Sequence, residues 1–538
     1  MVLIRRFALV RSSAQLALAR WIAPLAFLAL TLFRLAVTGW MPRNADDASN
    51  FLAASAMASG NWHLHGWVMA PDNYAPTEVL GMAVLIGLFG ERPVLMLGFE
   101  ALVWAGIALV GCRLALRGAS PRHRPGILCL ALAMLAFGLV AHDPGALFVS
   151  TVASHGSTIL LTLLAFGLAT RPGGLGAAHA ALLGALVAIG SLADPIFVVV
   201  AALPLLAVAL LGLPVRTRRR GMTLQGGAVA CGLVLARLLL AVNPRTGGFE
   251  SAHLTLTLAS FPALLDHLGF AARSIARLLG ADFSGHLVNH VVIGGPYIAL
   301  LRVPLLLAFA IALWQGGGRA TRLVRGWPAI AIDTPGAALD LLLCSSAVLC
   351  IASTVMTTAI ADPTCARFFL PATVCGGILT ARWFGRETLP ALYGAVAMPA
   401  SLAFCLLTLP PGLPRAMLAE PDEQALLATL RDHGLTHGYG GYWQGSITTV
   451  LSRRATTVLA LAPGPDRALV PFDWFCDRAW YRRARDWDGP VFFVTQQQPG
   501  SALDLPLDLV LHQFGDPSET IPAGRFTVVV YRRAPAPP

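Results

Sequence analysis

WIAPLAFLALTLFRLAVTGW, residues 21–40, carries a single charge, Arg34, and shows no alternation of period two. An α-helix needs roughly 20 apolar residues to cross the hydrocarbon core of a bilayer, and this run has that length. Arg5, Arg6, Arg11 and Arg20 precede it. A secretory leader has a shorter apolar core and a small-residue cleavage site, and neither fits here. The run therefore reads as a first span whose N-terminus stays in the cytoplasm. The rest of the chain extends the pattern. It is 56% hydrophobic and 12% charged, with a mean hydropathy of +0.67 over 538 residues. A soluble domain needs far more polar surface than that composition supplies. Because the apolar runs lack strand alternation, a β-barrel is excluded and a polytopic helical protein is expected.

Topology follows from the arginines, since the chain contains no lysine. They cluster at the N-terminus, at Arg113–Arg124, at Arg171, at Arg216–Arg220, at Arg319–Arg325, and at Arg382 with Arg386. If every cluster is cytoplasmic, the apolar runs between them come in pairs. The pairs are 127–141 with 147–170, 176–190 with 196–213, 222–242 with 297–314, and 336–360 with 366–382. With 21–40, 94–116 and 389–409 the total is about eleven spans. The run 79–89 is too short to cross and is expected to lie against the outer face. It shares a long outer loop, 41–93, with an amphipathic helix at 48–60, and a second outer loop, 243–296, holds another amphipathic stretch at 254–279.

Past Pro410-Pro411 the composition turns polar. Residues 1–411 read as the membrane domain and 412–538 as a small extracytoplasmic α/β domain. In the latter, 422–433 is expected to be helical, and 491–494, 507–511 and 526–531 are expected to be strands.

The net charge of +11 would suggest nucleic acid in a soluble chain, but here cytoplasmic loop arginines account for it, and no nucleic acid partner is expected. Most of the nine cysteines lie in or beside apolar runs and read as buried hydrophobes, not as a disulfide framework or metal site.

This topology gathers the acids near the membrane on the outer side: Asp46, Asp47, Asp72, Glu78, Asp143, Asp194 and Asp362. Charges close to the bilayer are costly and tend to mark functional cavities. Asp46-Asp47, in NADDASNFLAASAMASGNW, follows the first span and opens an amphipathic helix. Capping of the helix by one of the two leaves the other available, and a carboxylate there can take a proton from an attacking hydroxyl. Asp143-Pro144, Asp194-Pro195 and Asp362-Pro363 each match ordinary helix punctuation, with Asp as cap and Pro at the first helical position. Arg34 and Arg367 sit near outer span ends, where a guanidinium reaches headgroups, pairs with an aspartate or grips a phosphate. Glu100, inside the second span, is expected to pair with a polar neighbour. His63 and His65 form a His-x-His without a third ligand, a weak metal signal, although a divalent metal remains compatible with the sequence. No phosphate-cradling loop or dinucleotide fingerprint is present.

Three segments resemble a known family. The acidic pair opening a helix that ends at Gly60-Asn61-Trp62 resembles the start of GT-C glycosyltransferases, particularly bacterial relatives of the dolichyl-phosphate-mannose-dependent mannosyltransferases (RgtA/B/C/D-like enzymes). ADPTCARFFLPATV, residues 361–374, resembles their Arg-aromatic-aromatic-Leu-Pro segment. HGLTHGYGGYWQGSITTVLS, residues 433–452, resembles a Gly-Tyr-x-x-Tyr-Trp segment of related outer domains. The resemblance implies a polyprenyl-phosphate sugar donor, a glycan or lipid acceptor, and a catalytic aspartate at Asp46 or Asp47. Where such enzymes often carry Lys-Pro-Pro, this chain reads Tyr74-Ala75-Pro76-Thr77-Glu78. The expected reaction is sugar transfer at the outer face of the cytoplasmic membrane. Asp46 or Asp47 would be the base, and Arg367, Asp362, Asp194, Glu78, Arg34, Tyr442 and Trp443 the substrate-binding candidates. Tyr439, Tyr442 and Trp443 either stack on acceptor sugars or form domain core. The competing readings are a transporter or flippase of a lipid-linked sugar, which predicts midplane charges and a repeat between halves, and a polysaccharide polymerase or ligase.

Overall fold

The computed structural model of the chain describes residues 21–39, 42–135, 155–252, 255–282, 295–327, 334–360, 363–407, 418–464, 466–496, 501 and 503–532. Helix α1 (Trp21–Thr38) is the opening apolar run and leads into α2 (Ala45–Ala58). A short strand, β1 (Trp67–Met69), precedes α3 (Ala75–Phe89), whose first turn is a π-turn. Then come α4 (Leu95–Ala115), α5 (Arg124–Leu135), α6 (Gly156–Ala169), α7 (Ala177–Ala193), α8 (Val198–Gly212) and α9 (Arg219–Val242). The second loop holds β2 (Glu250–Ser251) and the amphipathic α10 (Phe261–Leu278). After it run α11 (Gly295–Gly326), α12 (Pro335–Val355), α13 (Leu370–Phe384) and α14 (Thr388–Leu407).

Among the described residues, six helices are long and apolar enough to cross a membrane: α1, α4, α9, α11, α12 and α14. Helices α3, α6, α7 and α8 are apolar but shorter, 10–17 residues. The protein is thus a multi-pass membrane protein, while the predicted total of eleven spans is not established. Part of the expected 127–141 and 147–170 pair, together with Asp143 between them, lies outside the described residues.

Without a hydrophobic drive between helices in lipid, small residues set how closely they pack. At the α7–α9 contact a side chain on Gly232 would meet the Gly184 carbonyl at 2.5 Å and Val187 at 2.9 Å, so only glycine permits that approach. Arg302, wholly buried in α11, ties three helices and a loop together with no acidic partner among the described residues. It donates to the Leu279 carbonyl (2.5 Å), the Ser401 hydroxyl (2.8 Å) and the Ala133 carbonyl (2.7 Å).

The tail is an α/β unit that runs α15 (Pro421–Asp432), β3 (His437–Gly440), α16 (Tyr442–Leu451), β4 (Thr457–Pro463), β5 (Leu469–Pro471), β6 (Cys476–Asp477), α17 (Arg478–Ala484), β7 (Val491–Thr495), α18 (Leu507–Phe514), β8 (Glu519–Ala523) and β9 (Phe526–Tyr531). Its main sheet has the order β5-β4-β3-β7-β9-β8. The expected helix at 422–433 and the strands at 491–494 and 526–531 are found. Residues 507–511 are helical instead of extended. Leu507, Leu509 and Leu511 alternate in the sequence, but Leu509 and Val510 are the buried pair, and Phe514 packs on Phe493 (4.9 Å between rings). That is the face of a helix.

The two halves are joined by a second, small sheet. β1 pairs in parallel with β2 (Val68 with Glu250) and antiparallel with β6 (Trp67 with Asp477), so both loops and the tail share one set of backbone bonds. Ile447, Val450 and Phe475 of the tail share a core with Phe51, Leu52 and Met82.

Candidate active site

Asn44 caps α2, its side chain accepting the Asp47 N–H at 2.9 Å. The expectation that one aspartate caps this helix is therefore corrected. Both carboxylates are released from that task, and they diverge.

Asp47 turns inward and is 5% exposed. Its carboxylate lies 3.7 Å from Arg43 Nη1, and Arg43 reaches Glu100 of α4 at 3.1 Å. Arg34 of α1 closes the chain with Nε and Nη2 on the same Glu100 carboxylate, at 2.9 and 2.5 Å, and it stacks on Trp104 at 4.9 Å. Burial pushes the Asp47 carboxyl up to about 6, against the pull of Arg43. Arg34, Arg43, Asp47 and Glu100 thus form one interior ionic chain, as expected for Glu100.

Asp46 turns the other way and keeps about a fifth of its side-chain surface exposed. One carboxylate oxygen accepts the Tyr442 hydroxyl, and the other lies 3.3 Å from Arg367 Nη1. Tyr442 comes from the tail, at the first position of α16. Gly441 makes that turn possible, because a side chain there would strike the Leu503 carbonyl at 2.5 Å and the Leu505 amide at 2.8 Å. β3 lies between its parallel neighbours β4 and β7, so the chain departs from it to both sides of the sheet. The carboxyl end of such a strand is where open α/β sheets present ligand-binding loops. Here it presents Tyr442 to Asp46.

Arg367 lies in a 3₁₀ turn, Pro363–Phe369, ahead of α13. Its guanidinium lies over Phe368 at 5.4 Å, and its Nε is buried without a hydrogen-bond partner among the described residues. Burial opposes the charge, but Asp46 and Asp72 more than offset it and hold Arg367 above the ordinary arginine range.

Beside this triad is a second cluster, placed by two non-glycine residues in the left-handed backbone region, Tyr74 (φ 49°) and His155 (φ 70°). Strain of that kind costs on the order of 1–3 kcal/mol per residue and concentrates at functional sites. Asn73 holds the first turn, donating to the Leu192 carbonyl (2.7 Å) and accepting the Ala75 N–H (2.9 Å). Tyr74 donates its hydroxyl to Asp72 at 2.9 Å and lies 3.1 Å from His155 Nδ1. That nitrogen is 2.6 Å from Asp194, which also accepts the Thr158 hydroxyl (2.6 Å) and the Ile196 N–H (2.9 Å). Burial disfavours the His155 charge, yet Asp194 raises its pKa, and the Asp194 carboxyl is correspondingly lowered despite burial. Burial raises Asp72. His155 Nε2 is buried with no partner among the described residues, and its ring lies 5.5 Å from Phe368, next to Arg367. Glu78 is wholly buried, accepting the Ser157 N–H (3.0 Å) and the Thr77 hydroxyl (2.5 Å); burial pushes it up to about 7.

Of the residues singled out in the sequence, Asp46, Arg367 and Tyr442 meet directly. Asp194 and Glu78 belong to the adjoining cluster, Asp47 and Arg34 to the interior chain. Trp443 lies edge-on to Tyr442 (5.1 Å) with its indole N–H on Ser501 (3.3 Å). Asp362 falls outside the described residues. Tyr439 is tail core, stacked on Phe493 at 5.3 Å. His65 bonds the Gly247 carbonyl, and its ring lies 6.0 Å from that of His63. Among the described residues no group of three or more His, Cys, Asp and Glu is arranged to hold a metal. The sequence left Tyr74 and His155 unassigned.

No family model matches the chain, and no curated protein matches it. Among solved structures, the crystal structure of ArnT from Cupriavidus metallidurans in the apo state aligns over 96% of this chain and 98% of its own, at 14% identity and a TM-score of 0.45. A likeness that loose assigns neither family nor chemistry.

Proposed function

We propose that the protein is a membrane glycosyltransferase that moves a sugar from a polyprenyl-phosphate donor to a hydroxyl of a cell-envelope acceptor, at the outer face of the cytoplasmic membrane. The observation that carries this reading is Asp46, a part-exposed carboxylate held between Arg367 and Tyr442. The pairing suits a single displacement. Asp46 takes the proton as the acceptor oxygen bonds to the anomeric carbon, the bond from that carbon to the phosphate oxygen breaks, and the polyprenyl phosphate leaves as an anion. Arg367 supplies fixed positive charge where the leaving-group charge grows, and its Nε, without a partner among the described residues, is a donor not committed to Asp46 in the resting site. Tyr442 positions the carboxylate. The neighbouring Asp72, Tyr74, His155 and Asp194 cluster offers a further proton-bearing wall for sugar hydroxyls. Arg34, bound to Glu100, and Asp47, buried 3.7 Å from Arg43, fit a structural role better than contact with substrate.

Transfer assays with purified protein and a panel of polyprenyl-phosphate sugars test the reading. D46N should lower kcat by roughly 10²–10⁴, the usual contribution of a general base, while donor binding persists. D46N transferring at the wild-type rate would overturn the base assignment. A protein that moves a lipid-linked sugar across vesicle membranes without ever cleaving it would replace the enzyme with a flippase.

A further inference from the structure

The far ends of the same helices carry a feature that the proposed chemistry does not use. α6 starts beside His155 and, at 1.5 Å per residue, ends about 20 Å away at Ala169. There a cavity of about 450 Å³ opens between the α6–α7 turn, the α8–α9 turn and the start of α12. Arg171 enters it from the first turn, Arg218 from the second and Arg220 from the start of α9, and among the described residues no acid lines it. Arg171 and Arg218 are half-buried. None of the three has an ion-pair or side-chain hydrogen-bond partner among the described residues.

The neighbouring arginines differ. Arg382 is bound to Asp340 at 2.6 Å, Arg117 donates to Thr170 at 2.6 Å, and Arg319 lies 4.2 Å over Trp383. Three unneutralised guanidiniums around one cavity repel one another until an anion enters, and the planar fork of each matches phosphate oxygens. Leu175, Val208 and Met222 make the cavity partly apolar. α9 leads away from it, with exposed Ala230 and Cys231 roughly 8–9 Å along the axis from the lining Gln225. An apolar floor beside a lipid-facing helix suits an anion that carries a hydrocarbon chain.

We infer that this cavity is a binding site for the phosphate of an anionic lipid headgroup, separate from the Asp46 site and at the opposite end of the helices. Full-length protein in neutral detergent, examined by native mass spectrometry, provides the test with phosphatidylglycerol, phosphatidylcholine and inorganic phosphate as probes. Phosphatidylglycerol should bind more tightly than phosphatidylcholine. Removal of one arginine from a membrane-surface site costs about fivefold in affinity, so R171Q, R218Q and R220Q should each lose about that much. R216Q, an exposed arginine outside the cavity lining, should lose nothing. If the half-buried variants misfold, R220Q at the exposed position and the wild-type lipid comparison still decide. Equal retention of the two lipids, an unchanged R220Q, or an equal loss in R216Q would overturn the site. Arginine-dependent binding of inorganic phosphate without any arginine-dependent binding of phosphatidylglycerol would overturn the lipid and leave free phosphate as the ligand.

Discussion

Successive residues on an α-helix point about 100° apart, so Asp46 and Asp47 meet different surroundings despite being neighbours. The sequence exposed the pair but could not rank its members. The partners that separate them, Arg367 and Tyr442, lie 321 and 396 residues away. Asn44 was equally decisive and equally legible in type, since asparagine is as good a cap as aspartate. Glu78 gives a prediction at this scale. Its carboxyl rises from the ordinary 4.5 to about 7 because burial disfavours the charged form. The folded protein then holds this proton more tightly than the unfolded chain does. Its stabilising contribution is complete below pH ~4.5 and is lost as pH rises toward 7, by about 3 kcal/mol for a shift of this size. Unfolding followed at pH 5 and pH 7.5 should show this decline in the wild type and a flatter profile in E78Q. Identical profiles would mean that Glu78 is not the group titrating.

Elements were legible in proportion to how much of their pattern is local. The apolar length of α1, α4, α9, α11, α12 and α14 is a property of each segment alone, and so is the amphipathic stripe of α10. The failure at 507–511 has the opposite cause. Alternating leucines over five residues fit a strand and a short helix equally, and only packing on Phe493 and Tyr531 decides between them. His437–Tyr442 was similarly opaque. GYGGYW shows glycines and aromatics, but the strand, the close turn at Gly441 and the helix after it require β4 and β7 on either side. Helix contacts themselves can be tested through Gly232. G232V places a branched side chain against the Gly184 carbonyl and Val187, where the two backbones leave no room for it. Overpacking of that kind typically costs 1–3 kcal/mol, so the variant should unfold several degrees lower in a thermal scan. G232A should fall between the two. A G232V protein as stable as wild type would show that α7 and α9 pack less closely than described.

At the scale of the molecule, chemistry and charge occupy opposite ends of the helices. The ends near Asp46 carry Asp72, Asp194 and the tail. The other ends carry Arg117, Arg171, Arg218 and Arg382, as a cytoplasmic face would. The sheet β2-β1-β6 makes the sidedness of three distant segments a single question, because both loops and the tail pair within it. Reporter insertions therefore have a constrained outcome. Alkaline phosphatase, active only outside the cytoplasm, should be active when inserted at the exposed Trp62 and when fused after Arg532, and inactive at the exposed Arg216–Thr217 turn. Disagreement between Trp62 and Arg532 would contradict the sheet itself. Agreement with both inside would leave the sheet intact and remove the outer-face reaction, since Asp46 and Tyr442 would then meet lipid-linked sugars only on the cytoplasmic leaflet.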